Sequence, residues 1–413
     1  MGVSSPLDRF SFATTRFLTP HRLRLYPAAF LAGSVILLGF TTIVGLVSPT
    51  ALPGGLAPDF LAHWTGAKLL IHDTAHLYDP TVQAAIEHRR AGDPLAWFVS
   101  APVEAALFVP LGLLPYRLAA AIWLAISLGC LAISWRLMRA WAPQVPRLPL
   151  LIALASTEPI FELLGGGQDS SLILLCWLGG MTALDRRRPF LGGALLGLAM
   201  IKPQLIILAP VVLLVRREWR ALGGFVLTSF LCGAVSLALV GPSGLRTWID
   251  TLTSPAYDTL VTHAQAWKMS SLPALVQGLL PAGGSITADV VAVVCAVIAV
   301  WGASRATTLR GAWAIALSGT AVASPHLLVY DLVVVFPAVV WLVRENPSPR
   351  VRATLAVTYL LLWTVPLRHA IANGHAALGW LDVPWQAIPI TSLALYAIRQ
   401  AATEGSRTAS LPH

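Results

Sequence analysis

Charge is what this chain has least of. Only 11% of its 413 residues are Asp, Glu, Lys or Arg, against about 25% in soluble proteins. That scarcity, with a mean hydropathy of +0.72, excludes an ordinary soluble domain. Cysteine is equally sparse. Cys130, Cys176, Cys232 and Cys295 each sit in an apolar run without a CxxC partner, which excludes a disulfide framework and a zinc site. No cleavage site of small residues follows the arginine-bearing first 25 residues, so a retained first helix is expected, not a removed signal peptide. No basic stretch interleaved with aromatics is present, and the net charge of +9 is no sign of a nucleic-acid partner. No DxD motif or carboxylate cluster appears, so no metal and no cofactor is expected.

What fills the chain instead is a succession of apolar runs, at about 27–48, 118–135, 148–165, 169–184, 190–201, 203–215, 221–241, 286–303, 311–324, 327–343, 353–367 and 382–398. Runs of this kind mark a polytopic membrane protein, here all-α with about 12 segments. With the N-terminus cytoplasmic, 20 of the 28 Lys and Arg fall in inner loops and tails, 7 fall outside, and Lys202 lies between. That split obeys the positive-inside rule. It gives a cytoplasmic tail 1–26, a single membrane domain 27–398 and a second tail 399–413. Two long outer loops result, 49–117 and 242–285. Segment 98–115 carries Pro102, Pro110 and Pro115 and reads as interfacial or re-entrant, since counting it as a span reverses the later loops. Segment 190–215 has arginines at both ends and is too short for two full spans, so it reads as two short helices turning at Ile201–Leu205.

The polar exceptions gather on one side. Asp59 and His63 lie in the first outer loop, Glu162 and Gln168 in an outer turn, Lys202 at the buried tip, and His326 in another outer turn with Tyr330 and Asp331 just inside. Each has a plain structural alternative. Asp59 can N-cap a helix, His63 can orient it, and "GGGQ" can be a tight turn. His326 can start a helix, while Tyr330 and Asp331 can bond between helices. Lys202 is harder to set aside. A lysine in the bilayer costs about 2.5–3.5 kcal/mol on insertion scales and needs an anion, for which a phosphate is a natural choice.

Several stretches carry a family resemblance: "DFLAHWTGAKLL" with "HLYDP", "FVSAPVEAALFVPLGLLP", "EPIFELLGGGQDSSLILL", "GGALLGLAMIKPQLIILAPVVLL" and "SPHLLVYDLVVVF". In order and spacing, over roughly residues 55–335, the chain resembles the polyprenol-phosphate-mannose-dependent α-mannosyltransferases, glycosyltransferase family 87 of the GT-C class. The resemblance implies a GT-C fold in the bacterial inner (plasma) membrane with an extracytoplasmic active site. It implies a polyprenyl-phosphate sugar as donor and a lipid or glycan as acceptor. It aligns Asp59 with the family's catalytic base and His326 with a histidine near the donor phosphate. Gln168 and Lys202 would help bind the phosphate, and Glu162, His63, Tyr330 and Asp331 would line the cavity.

Inverting transfer needs one group to take the acceptor proton and others to stabilise charge on the leaving phosphate. Asp59 suits the first role, Lys202 and His326 the second. The prenyl tail is expected beside the short pair 190–215. Trp248, Tyr257 and Trp267 of the second loop either stack on sugars or anchor the membrane interface. The alternatives are a lipid-linked glycan transporter or flippase, which would call for internal repeats and midplane sites, and another GT-C-like polymerase.

Overall fold

The computed structural model describes residues 19–47, 56–88, 95–280, 284–345 and 347–408, and among these the regular structure is helical. Helix α1 (Pro20–Val47) is followed by α2 (Phe60–His72), α3 (Pro80–Ile86) and α4 (Pro102–Gly112) of the first long loop. Then come α5 (Tyr116–Met138), α6 (Arg147–Ala155), α7 (Glu158–Gly166) and α8 (Ser170–Asp185). The short pair α9 (Pro189–Leu198) and α10 (Leu208–Val215) precedes the long α11 (Trp219–Leu252). The chain continues through α12 (Leu272–Leu279), α13 (Gly284–Arg305), α14 (Leu309–Ala323) and α15 (Phe336–Val343). It closes with α16 (Pro349–Trp363), α17 (Val365–Gly374) and α18 (Ala387–Thr408).

Four helices, α1, α5, α11 and α13, are long and apolar enough to cross a membrane, or six spans if each of two bent pairs counts as one. This is fewer than the dozen segments expected. The shortfall has a local cause in proline. Helices α6 and α7 meet at 58° with Pro159 in the first turn of α7, and α16 and α17 meet at 47° with Pro366 at the start of α17. Proline in a first helical turn has no N–H to donate, and its ring crowds the carbonyl four residues back, so the preceding helix cannot run straight through it. Segment 327–343 is likewise divided, with 3-10 turns over Val329–Val335 before α15. The long helices turn bulky apolar side chains outward: Ile36, Phe230 and Ile286 are 72%, 68% and 73% exposed. On a protein in water that would be a large apolar patch; in a bilayer it is the lipid-facing surface.

Helix α4 has 11 residues, about 16 Å at 1.5 Å per residue, and is too short to cross. It stays continuous despite Pro110, which falls in its last turn. The tip of segment 190–215 lies where the sequence placed it, as 3-10 turns over Ala199–Ile201 and Pro203–Leu205 with Lys202 between them. The long α11 differs from expectation by running on past 241 into the second loop. Gly241 takes φ 67, ψ 178 there, a conformation open essentially to glycine alone, so the helix kinks before Pro242 and continues to Leu252.

The core sits between these elements. Every side chain of α14 from Gly311 to Ala323 is buried. On the loop side, Phe60 is fully buried, stacked against Tyr116 and Trp123 with centroids 5.9 Å away in each case and edge-on to Phe108. Burying such a ring is worth about 1.5–3 kcal/mol, so Phe60 fastens the start of α2 to α4 and α5.

Candidate functional site

The start of α2 is held from several sides. Asp59 N donates to Gly166 O at 2.9 Å, and Trp123 Nε1 donates to Gly167 O at 2.8 Å. The glycines of "GGGQ" are there for closeness and for conformation. A Cβ on Gly166 would lie 2.5 Å from Asp59 Oδ2, and Gly167 has φ +75, a left-handed geometry suited to glycine. Asp59 stands at the N-cap of α2, yet its side chain makes no capping bond. Its half-buried carboxylate borders a cleft instead.

That cleft, about 170 Å³, is lined by Asp59, His63, Gln168, Lys202, His326, Tyr330 and Asp331 together. Four separated stretches of chain therefore converge. Glu162 does not line it; its carboxylate pairs with Lys268 at 3.0 Å. The opposite wall is the extended segment Leu95–Ser100. Extended backbone next to helices needs partners, and buried Gln83 supplies them: its amide donates to Leu77 O and Phe98 O, and its Oε1 accepts from Phe98 N at 2.7 Å. Tyr257, Leu260, Val261 and Gln265 form a further side. Backbone contacts Ser270 N to Leu327 O at 2.9 Å and the bridge between Met269 and Leu328 tie that segment to the His326 turn.

Lys202 finds its anions inside the chain. Its Nζ lies 2.5 Å from Asp169 Oδ1 and 3.3 Å from Asp331 Oδ1, and donates to Ser170 Oγ at 3.2 Å. Ser170 Oγ in turn donates to Asp331 Oδ1 at 2.5 Å. An ammonium has three donors, and all three are engaged. The ring of Tyr330 lies 5.3 Å from the same Nζ. The anion the sequence called for is thus supplied twice over by aspartates.

One side group was missed. Glu104, fully buried on α4, places Oε1 2.8 Å from His63 Nδ1, and the His63 ring stacks on Phe108 at 4.7 Å. Burial raises the Glu104 carboxyl. For His63 burial works against the charged form, but the Glu104 carboxylate outweighs it and the imidazole ends above its ordinary value. In the turn before Val329, burial holds His326 below the usual imidazole range, reinforced by Lys202 and partly opposed by Asp331. His63, Glu104 and Asp169 bring ligand atoms within 4.8 Å of one another, the one such buried trio among the described residues. A divalent cation could be held there, although Lys202 already approaches Asp169.

The signal for Glu104 was in the sequence: an acid one turn into an apolar stretch, the same oddity that drew notice at Asp331. Asp169, Gln204 and Gln265 carried no comparable sign, being polar residues beside turns. Of the three aromatics of the second loop, Tyr257 reaches the cleft. Trp248 is structural, its Nε1 donating to Val99 O at 2.9 Å. Trp267 stacks on His369 at 4.1 Å beside a separate cavity of about 590 Å³. An apolar cavity of about 230 Å³ lies between α6, α14, α15, α16 and α18 and is bordered by Leu332, Val335 and Val339. It is not beside the pair α9–α10, where room for a prenyl tail was expected.

No curated protein and no solved structure shows significant similarity to the chain. The family profile of glycosyltransferase family 87 matches residues 98–330, a stretch that takes in Glu104, Gln168, Lys202, His326 and Tyr330 and covers more than half of the sequence, and the chain belongs to that family.

Proposed function

We propose that this glycosyltransferase works in the bacterial inner membrane as a GT-C enzyme, moving a hexose, in our reading mannose, from a polyprenyl-phosphate sugar to a lipid or glycan acceptor on the extracytoplasmic face, with inversion. The observation that carries the reading is the convergence of Asp59, Gln168, Lys202 and His326 on one cleft. Among the described residues Asp59 neither caps its helix nor forms an ion pair, and a carboxylate within about 3 Å of the acceptor hydroxyl serves as general base. His326 and Gln168 receive the departing phosphate. Lys202 acts on that phosphate indirectly, by offsetting Asp169 and Asp331, whose charge would otherwise repel it. The apolar cavity beginning at Leu332, the residue after Asp331, offers the isoprenoid tail a place next to the cleft wall. Glu162, paired with Lys268, shapes the rim.

The test is incubation of membranes or purified protein with radiolabelled polyprenyl-phosphate sugars, comparing wild type with Asp59→Asn. Transfer by the wild type and a loss of roughly a hundredfold or more in the variant support the assignment. Equal incorporation removes Asp59 as the base, and no incorporation from any such donor removes the donor class. An α-linked product from a β-linked donor, read by NMR, checks inversion.

A further inference from the structure

The first long loop contains a second pair of side chains that the transfer scheme above does not use. We propose that Glu104 is a positioning residue that grips His63 through Nδ1 and turns its Nε2 edge to the cleft, where His63 receives the proton that Asp59 takes from the acceptor. Three observations carry this. Glu104 is fully buried, and its Oε1 contacts Nδ1 at 2.8 Å. The imidazole is held flat against Phe108, at 4.7 Å and 15°. His63 nevertheless borders the cleft while its Nδ1 is sealed from solvent, which leaves the edge carrying Nε2 as the part that reaches the cavity. The ion-pair contact with His63 is the one polar contact of this buried carboxylate among the described residues, with no aligned hydrogen bond on either oxygen; such a group is expensive to keep, and orienting an imidazole is the chemistry it performs. The pattern has a second support in sequence spacing: Asp59 and His63 are four residues apart at the start of one helix and share the same cleft.

The proton balance closes. As the acceptor O–H breaks, its proton goes to Asp59 while the oxygen bonds the anomeric carbon. The electron pair of the anomeric C–O bond leaves with the phosphate. The proton then passes from Asp59, directly or through one water, to Nε2 of neutral His63, whose Nδ1–H stays on the Glu104 carboxylate. The resulting imidazolium is stabilised by that carboxylate, and Asp59 is returned ionised for the next acceptor. The charged or titratable groups facing His63 are Asp59 on its own helix, Glu104 on α4, Asp169 at the start of α8 and Lys202 at the α9–α10 tip, with Tyr330, Asp331 and His326 across the cleft.

The test uses the full chain in lipid nanodiscs. In [15N]histidine-labelled protein, with the His63 signals assigned by their loss in His63→Gln, wild-type His63 carries its proton on Nδ1, and Glu104→Gln shifts the tautomer away from that form. This measurement needs no substrate, so it fails independently of the transfer reaction proposed above. The kinetic half rests on that reaction. With a radiolabelled polyprenyl-phosphate sugar, Glu104→Gln lowers kcat by roughly tenfold or more with KM within about threefold, and the acidic limb of kcat against pH moves to lower pH because the anion beside His63 is gone. Glu104→Asp recovers part of the rate. A wild-type His63 protonated on Nε2, or a folded Glu104→Gln with unchanged kcat and unchanged acidic limb, overturns the proposal. So does a metal: if chelation stops the wild type and Mn²⁺ restores it but does not restore Glu104→Gln, the trio His63, Glu104 and Asp169 holds a cation instead. Should Glu104→Gln not fold, His63→Gln is expected to show the same fall in kcat and to lose the acidic limb, and its failure to do either is equally decisive.

Discussion

Lys202→Met separates two meanings of the buried lysine. Methionine matches its length and apolar stem while deleting the charge. In the structure that deletion leaves Asp169 with no ammonium at 2.5 Å and removes the ammonium 3.3 Å from Asp331, both side chains being at most 2% exposed. Breaking a buried pair by removing one partner costs about 3–5 kcal/mol, which is roughly a hundred to a few thousand fold in the folded-to-unfolded ratio and a large part of the 5–15 kcal/mol that holds a typical domain. The assay is retention of monodisperse protein in mild detergent after heating, read as a midpoint temperature and, because unfolding of such proteins is commonly irreversible, also as a half-life. Lys202→Met is expected to lose heavily on both. Combining it with Asp169→Asn is expected to recover stability relative to the single variant, since the uncompensated charge is then gone and the two changes are coupled. If Lys202→Met is as stable as the wild type while KM for the donor rises, the lysine's working anion is a phosphate and the aspartates are not its structural partners.

Gly166→Ala places a Cβ 2.5 Å from Asp59 Oδ2; the carboxylate has to move, and kcat should fall at least about tenfold while the midpoint temperature changes little, a combination that equal losses in both would refute. The neutral form of His326 is favoured in the fold by burial, so the unfolded chain binds its proton more readily. Stability from this residue is therefore complete above about 6.5 and declines as pH falls through 6.5 toward the depressed folded value; thermal midpoints from pH 5 to 7.5 should show that decline in wild type and less of it in His326→Gln.

The long helices were readable because nothing in their sequence interrupts them: α5 and α13 coincide with unbroken apolar runs. The breaks were harder. Pro159 and Pro366 each sit in a run apolar enough to pass as a span, and a hydropathy pattern does not register a bend. The convergence of Asp59, Lys202 and His326 was legible through cost, since an ionisable group among apolar neighbours demands a reason wherever it is. What cost did not reveal is which partner settles the demand. Lys202 read alone asks for an anion, and only packing decides between a substrate and Asp169, a residue 33 positions earlier with an ordinary place beside a turn. Glu104 is masked by its setting, a stretch whose three prolines, Pro102, Pro110 and Pro115, dominate the pattern.

The kink at Gly241 reaches further than the helix it bends. Beyond it, α11 carries Trp248 to the carbonyl of Val99, and Leu95–Ser100 is one wall of the cleft while the segment following α11 supplies another through Tyr257 and Gln265. One strut thus braces two sides of the chamber against the same membrane-embedded post. Tilting that post would shift both sides in concert, the single glycine kink being the bend between post and strut.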